Sequence, residues 1–204
     1  MPLTLPKRPQ SQKSRQDRPQ KPRLIVGLDP SLTHFAVVCL SLESDEVQNQ
    51  FTFAPKTDGM QRIADILDCL TGVMVHATHV GYAPILVRED YAYSANSSSD
   101  APLKELGGIF EYEMWKTWQV PLFKVSIASI KKFMFGKGNA QKSEMMREAY
   151  KHFRFEADEH QTDAFAVATL AKAVISGKMP PQLPRASHEA VASMRAKQHP
   201  LTLL

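Results

Sequence analysis

The chain has 204 residues, 43% of them hydrophobic, and a formal net charge of +4. This length and composition indicate one globular domain with a sizeable core and exclude a chain that is disordered throughout. No run of about 18 apolar residues occurs and the N-terminus is polar, so neither a membrane span nor a secretory signal is expected.

The positive charge is concentrated at the N-terminus. Residues 1–23 contain seven Lys or Arg and one acid, Asp17, so this segment carries +6 and the remainder carries −2. The segment also holds several prolines and has no apolar periodicity, which predicts a disordered basic tail. Such a tail would give non-specific, salt-sensitive affinity for phosphate, and a solubilising linker is the alternative.

Hydrophobic periodicity then predicts ten elements in the order β-β-β-α-β-α-β-α-α-α. Strands are expected at 23–29, 35–40, 51–53, 84–89 and 120–125, and helices at 60–74, 103–118, 126–135, 140–153 and 158–176. A hairpin followed by helix-linked strands predicts a mixed β-sheet flanked by helices, in a three-layer α/β/α domain. Residues 24–178 form this domain, and residues 179–204, rich in Pro, Gln and Ser, are predicted to be a flexible tail.

Acidic residues occupy the ends of two predicted buried strands. Asp29 and Glu89 are costly to place there without a partner, and ligands of open α/β sheets bind at the carboxyl ends of strands. A third acidic cluster, residues 158–163, opens the last predicted helix, where His160 and Asp163 share one face. Because the rest of that helix is apolar, it is expected to pack on the sheet and bring this face to the strand ends.

This ordered set of oxygen and nitrogen donors suits hard divalent cations. Mg²⁺ binds carboxylates together with phosphate and water, and two ions about 4 Å apart can hold the attacking and leaving oxygens of a phosphodiester. Taken singly, each residue also has a structural interpretation. In that interpretation, Asp29 would start a turn, Glu89 would pair with Arg88 or a lysine, and Asp158 would cap a helix.

Five ordered motifs resemble the RuvC family of RNase H-like nucleases. They are an aliphatic strand with Gly-Leu-Asp-Pro at 27–30, the strand-end Val-Arg-Glu at 87–89, the helix segment 103–110, the glycine-lysine element 136–142 and His-Gln-Thr-Asp at 160–163. The resemblance covers roughly residues 24–176. It implies an RNase H-like fold, a homodimer, and paired Mg²⁺-dependent cuts in branched DNA, above all in four-way (Holliday) junctions.

By motif position, the resemblance implies Asp29, Glu89, His160 and Asp163 as metal ligands. It also places Lys142 near the scissile phosphate, and a lysine at a helix start beside glycines suits phosphate binding. The predicted DNA contacts are Lys131, Lys132, Lys137, Lys142, Tyr91 and Tyr93.

One departure from the family pattern concerns specificity, and the identity of one predicted ligand concerns the metal. Ala92 stands where the family carries an aromatic residue that enters the junction, so Tyr91 or Tyr93 would have to stack on a base, the alternative being packing at the loop base. This leaves a broader branched-DNA nuclease open. His160 is a softer ligand than a carboxylate, so Mn²⁺ is expected to substitute for Mg²⁺.

Three other hypotheses about function compete with the hypothesis that the protein is a resolvase. One is another RNase H-like nuclease, which should lack the glycine-lysine element. A second is an actin-type ATP-binding domain, which needs a duplicated domain for which the chain is too short. The third is an inactive DNA-binding scaffold, against which the presence of all four ligand candidates argues.

Cys39 and Cys69, both in apolar stretches, suit a reducing compartment. The expected location is the cytoplasm of a bacterial or phage-infected cell, with an organelle left open.

Overall fold

A computed structural model describes residues 21–90, 101–138, 142–180, 182–197 and 199–204. Of residues 101, 102, 142 and 143, only the helical backbone is described. The strands are β1 (Arg23–Asp29), β2 (Phe35–Ser41), β3 (Val47–Phe53), β4 (Ala83–Asp90) and β5 (Leu122–Ser126). The helices are α1 (Gly59–His79), α2 (Ala101–Glu113), α3 (Ile127–Phe135), α4 (Lys142–Phe153), α5 (Glu159–Ser176) and α6 (Arg185–Ala196). A π-helical turn (Met114–Trp118) extends α2, and a 3₁₀ turn (Pro200–Leu203) ends the chain.

The five strands form one mixed sheet in the order β3-β2-β1-β4-β5. β1, β2 and β3 pair antiparallel, whereas β4 and β5 run parallel to β1. The central strands β1 and β2 are buried along nearly their whole length, which is why their sequences are continuous apolar runs rather than alternating ones. The predicted mixed sheet is therefore confirmed.

Helices cover both faces of this sheet. On one face, Ile25 and Val87 belong to a core shared with α3, α4, α5 and α6. On the other face, Val26 and Leu86 belong to a second core shared with α1 and α2. Successive residues of a strand point to opposite faces, so each strand contributes to both cores. This confirms the predicted three-layer α/β/α architecture.

The predicted flexible tail at 179–204 is wrong, because most of this segment is folded. It forms α6 and the final 3₁₀ turn, and it places Leu183, Val191, Met194 and Leu201 in the core on the α5 side of the sheet. The high proline content of this segment predicted a flexible tail rather than a helix, although Pro184 lies only at the start of α6. The buried face of α6 also contains small residues such as Ser187 and Ala190, which weakens the apolar pattern. The domain therefore extends past residue 178.

Replacing Leu201 by Ala should lower the free energy of unfolding by about 2–5 kcal/mol, because its side chain is fully buried at 0% exposure. Leu203 is 81% exposed and two residues away, so Leu203→Ala is the matched control and should change stability little. Urea denaturation of both variants checks this. Equal stability of the two would contradict a folded C-terminal segment.

β3 differs from its predicted bounds, and the second helix differs in its helix type. β3 begins at Val47 rather than at residue 51, since Gln48, Asn49 and Gln50 are exposed on an edge strand and carry no apolar signal. The predicted helix 103–118 ends in the π-helical turn, after which Gln119 adopts a left-handed backbone with φ of 55°. The basic tail predicted at 1–23 falls outside the described residues up to residue 20, and Arg23 already belongs to β1.

Within the described ranges, no helix has the length and apolar character needed to cross a membrane.

Both cysteines are free thiols. Cys39 is buried on β2, and burial raises the pKa of its thiol to about 12, so it stays protonated and inert.

Candidate active site

Two acidic residues lie side by side at the carboxyl edge of the sheet. β1 and β4 are parallel with Leu28 opposite Arg88, so the next residues, Asp29 and Glu89, are also neighbours. Adjacent strands lie about 4.8 Å apart. Two residues before each acid, Gly27 contacts α5 and Val87 packs in the α5-side core. Because strand side chains alternate, both acids belong to the α5 face, and both are half-buried.

The N-terminus of α5 is fixed over this edge by a capping residue. Asp158 accepts a hydrogen bond from the backbone N–H of Gln161 at 2.7 Å and another from the hydroxyl of Thr52 on β3 at 2.7 Å. Partial burial raises the pKa of Asp158, but these hydrogen bonds and the nearby His160 outweigh it and hold the pKa below its usual value. Asp158 is thus the N-cap of α5, one of the two roles left open from sequence.

Close packing sets the height of α5 above β1. A Cβ atom built on Gly27 would lie 2.3 Å from the carbonyl oxygen of Ala164 and 2.8 Å from the Cβ of Ala168. Only glycine permits this approach. One turn before Ala164, the helix presents His160, and Asp163 follows on the same face. The positive end of the α5 dipole therefore lies beside the two strand-end acids.

Asp29 and His160 are in direct contact. Nδ1 of His160 lies 3.2 Å from Oδ2 of Asp29, and their side chains are 22% and 21% exposed. Nε2 of His160 lies 3.6 Å from the carboxylate of the more exposed Glu159. The pair is therefore enclosed enough to be held in place and open enough to be reached by a ligand.

A second histidine, not predicted from sequence, stacks on His160. The ring of His34 lies 4.8 Å from that of His160 with an interplanar angle of 5°. His34 precedes β2 in the tight connection from β1, where Asp29 pairs with Ala36, so the hairpin returns it to the site. The sequence signal was its place in that connection, but stacking depends on the turn conformation, which the pattern does not specify.

On the opposite face, a charge cluster stabilises the end of β4. Arg88 is only 3% exposed and donates to Glu111 on α2 at 2.9 Å and to the backbone carbonyl of Glu89 at 2.6 Å. Lys124 on β5 also reaches Glu111, at 2.6 Å. Partial burial raises the pKa of Glu111, yet its hydrogen bonds to Lys124 and Arg88 hold the pKa below its usual value. Arg88 thereby holds the backbone that carries Glu89.

Of the predicted DNA contacts, the structure describes the side chains of three lysines. Lys131 and Lys132 lie on α3, which follows the carboxyl end of β5, and Lys132 is 3.7 Å from Glu189. Lys137 is exposed and lies 3.4 Å from Glu144. Lys142 is the first residue of α4, as predicted, but its side chain falls outside the described residues. Tyr91 and Tyr93 also fall outside them.

The four predicted metal ligands lie on β1, β4 and α5. Over the described residues, no group of three or more His, Cys, Asp or Glu side chains is arranged to hold a metal ion. The donors nevertheless suit a hard divalent cation in kind, because carboxylates dominate. The 3.2 Å between Asp29 and His160 is also close to the roughly 2.9 Å that separates adjacent ligands of an octahedral ion with bonds of about 2.05 Å. The donor types therefore suit such an ion, and Asp29 and His160 are the two predicted ligands that the structure brings into contact.

The architecture and the acidic sheet edge define the class of fold, which is RNase H-like. More particularly, the chain is similar to a solved structure of Thermus thermophilus RuvC, with a TM-score of 0.57 and 19% identity over 76% of this chain and 96% of that one. It is also similar to T. thermophilus RuvC in complex with a Holliday junction substrate, with a TM-score of 0.58 and 17% identity over 72% and 90%. No family model and no curated protein matches the sequence.

Proposed function

We propose that this protein is a structure-selective DNA endonuclease that cuts branched DNA, and four-way junctions in particular, by divalent-metal-dependent hydrolysis. The observation that carries the proposal is the meeting of Asp29, Glu89 and the first turn of α5 at one edge of the sheet, with Asp29 and His160 3.2 Å apart. The fold shared with RuvC supports it, since one of those structures holds a Holliday junction substrate.

In this proposal, Asp29, Glu89, His160 and Asp163 hold Mg²⁺. When bound, such ions lower the pKa of a coordinated water and balance the charge that develops on the phosphate. The protein itself orients the ligands. The Asp158 cap fixes the first turn of α5, and the positive end of that helix favours the negative charge of an approaching phosphate. Lys142, at the start of α4, is proposed to contact the scissile phosphate.

Two matched cuts in a junction require two sites related by a two-fold axis, so we propose a homodimer. Phe110 on α2 and Met114 in the π-helical turn are fully buried and serve the core. Trp115 is 62% exposed and Tyr112 is 56% exposed. Two large exposed aromatic side chains so close together are typical of an interface rather than a free surface.

Replacing Trp115 by Ser should therefore weaken dimerisation by at least about tenfold, since interface tryptophans often contribute 2 kcal/mol or more. Sedimentation equilibrium over a range of concentrations measures this. Met60 is 70% exposed at the start of α1, so Met60→Ser serves as the control. An unchanged association constant for Trp115→Ser would place the interface elsewhere.

The stacked histidines provide a test that is independent of DNA. His34→Ala removes a stacking contact of about 0.5–1.5 kcal/mol and should weaken Mn²⁺ binding about twofold to tenfold, because His160 loses its fixed ring plane. His34→Phe keeps a ring in place and should bind Mn²⁺ like the wild type. Isothermal titration calorimetry distinguishes the two, and equal affinity for both variants would show that the stack has no role in ordering His160.

The proposed activity is tested by nicking of a synthetic four-way junction beside a Y-fork and a linear duplex, with Mg²⁺ and separately with Mn²⁺. Symmetric cuts in the junction alone would support a resolvase. Cuts in the fork as well would support a broader branched-DNA nuclease with the same site, as the missing aromatic residue at Ala92 suggests. Tight junction binding without cleavage in either metal would overturn hydrolysis and leave a binding scaffold.

A further inference from the structure

A cavity of about 530 Å³ lies at the β5 edge of the sheet, between the start of α3 and the C-terminal segment. Lys124, Lys132 and Lys197 line it together with Ser126 and Ser129, and Asp90 is the one acid among the described residues that line it. The cavity therefore presents an excess of positive charge and several hydrogen-bond donors. These groups come from three separate parts of the sequence, which is why no local motif indicated the site.

The cavity, like the candidate active site, lies at the carboxyl ends of the parallel strands. Asp90, the residue after Glu89, pairs with Ser126 on β5. From Asp29 on β1, this wall is two strand spacings away, or about 10 Å. Successive phosphates of one DNA strand are about 3.4 Å apart along the helix axis. A strand whose scissile phosphate lay at Asp29 would thus bring a nearby phosphate of the same strand to the cavity.

The lysines of the cavity are available to an anion. Lys124 and Lys132 each face one carboxylate, Glu111 at 2.6 Å and Glu189 at 3.7 Å, while remaining 40% and 41% exposed. Ion pairs at this level of exposure are partly screened by water, so a phosphate can compete for both lysines. Both acids are also shared with arginines, Arg88 and Arg185, so the positive charge is not cancelled. Lys197 is exposed at the end of α6 and makes no ion pair with any residue that the structure describes.

The C-terminal wall is held in place before any ligand arrives. Nε2 of His199 lies 2.9 Å from the backbone carbonyl of Lys124, and Nδ1 of the same ring accepts from the backbone N–H of Leu201. In this arrangement Nε2 donates to the carbonyl while Nδ1 accepts. Leu201 then anchors the segment in the core at 0% exposure. The segment that carries Lys197 is therefore joined directly to the strand that carries Lys124.

We propose that this cavity binds a backbone phosphate of the DNA strand that passes through the active site, with Lys124, Lys132 and Lys197 supplying the charge and the two serines supplying hydroxyl donors. The proposal rests on the proposed function, because the partner is the same DNA. It assigns the C-terminal segment a direct role in holding substrate. Phosphate contacts fix register and orientation without reading sequence, so this contact would position the cut relative to the branch.

The test is the salt dependence of binding to a labelled four-way junction without divalent metal, so that cleavage plays no part. The double variant Lys132→Gln with Lys197→Gln should bind about tenfold more weakly in about 0.1 M salt, and its plot of log affinity against log salt should be shallower by about two. Lys178→Gln is the control. Lys178 is also exposed, but it lines a separate cavity with Leu40 and Leu42. This second cavity lies near the start of β1, away from the carboxyl ends of the parallel strands.

The outcomes separate this inference from the proposed function. The phosphate site is supported if the wild type binds the junction and the double variant binds it more weakly and with a shallower salt dependence. The Lys178→Gln protein should then bind like the wild type. A double variant that keeps the slope of Lys178→Gln overturns the site and leaves the nuclease proposal intact. A wild type that does not bind DNA overturns both. Unchanged thermal unfolding of the double variant, whose altered side chains are at least partly exposed, confirms that the fold is retained.

Discussion

Replacing Asp29 by Asn should reduce the rate of junction cleavage by at least about a hundredfold while leaving junction binding nearly unchanged. Asn is almost isosteric with Asp but lacks the negative charge that a hard cation requires. It also replaces the oxygen that lies 3.2 Å from Nδ1 of His160 with part of a neutral amide. Initial nicking rates and equilibrium binding, measured on the same preparation, separate the two effects.

A control for this variant is Asp68→Asn. Asp68 is an exposed acid on α1, which packs on the face of the sheet away from α5, so the same change of charge there should leave cleavage unchanged. Equal rates for Asp29→Asn and wild type would exclude Asp29 as a metal ligand. Loss of cleavage together with loss of the folded state would show instead that Asp29 is needed for the hairpin turn, the structural alternative.

Replacing Gly27 by Ala should lower the free energy of unfolding by about 3 kcal/mol or more, at the upper end of the overpacking range. The added Cβ would lie 2.3 Å from the backbone oxygen of Ala164, and backbone cannot rotate away as a flexible side chain can. Helix α5 would have to move off β1 and take His160 away from Asp29. Cleavage should therefore fall together with stability, although Gly27 contributes no side chain to the site.

Gly72→Ala is the matched control for Gly27→Ala. Gly72 lies within α1, and a Cβ there meets nothing within 4 Å. Alanine is the better helix former, so this variant should be about 0.5–1 kcal/mol more stable. Thermal and urea unfolding measure both variants. A Gly27→Ala protein as stable as wild type would mean that α5 does not approach β1 this closely.

The sequence predicted the order of the first ten elements because each central strand is a continuous apolar run and each helix has a regular apolar stripe. It also predicted that Asp29 and Glu89 would meet, since parallel strands end at one edge of a sheet. The contact between Asp29 and His160 followed from the expected packing of α5. The roles of these residues as metal ligands stay predictions.

Other features depend on tertiary geometry that periodicity does not encode. Helix α6 was missed because its core contacts include small side chains such as Ala190 within a proline-rich segment. His34 reaches His160 only through the conformation of a short turn. Lys124 and Lys197, far apart in the chain, meet at one cavity because the C-terminal segment folds back onto β5 through His199. Each of these requires knowledge of which elements pack together.

The proposed metal site is tested most directly by a crystal structure of the protein soaked in Mn²⁺, with the ion located by its anomalous scattering. We expect a peak at bonding distance from the carboxylate of Asp29 and the imidazole of His160, with Glu89 or Asp163 turned toward it. A well-ordered crystal that shows no peak at this edge of the sheet, while Mn²⁺ binds elsewhere on the protein, would contradict the proposed metal site and the hydrolytic mechanism built on it.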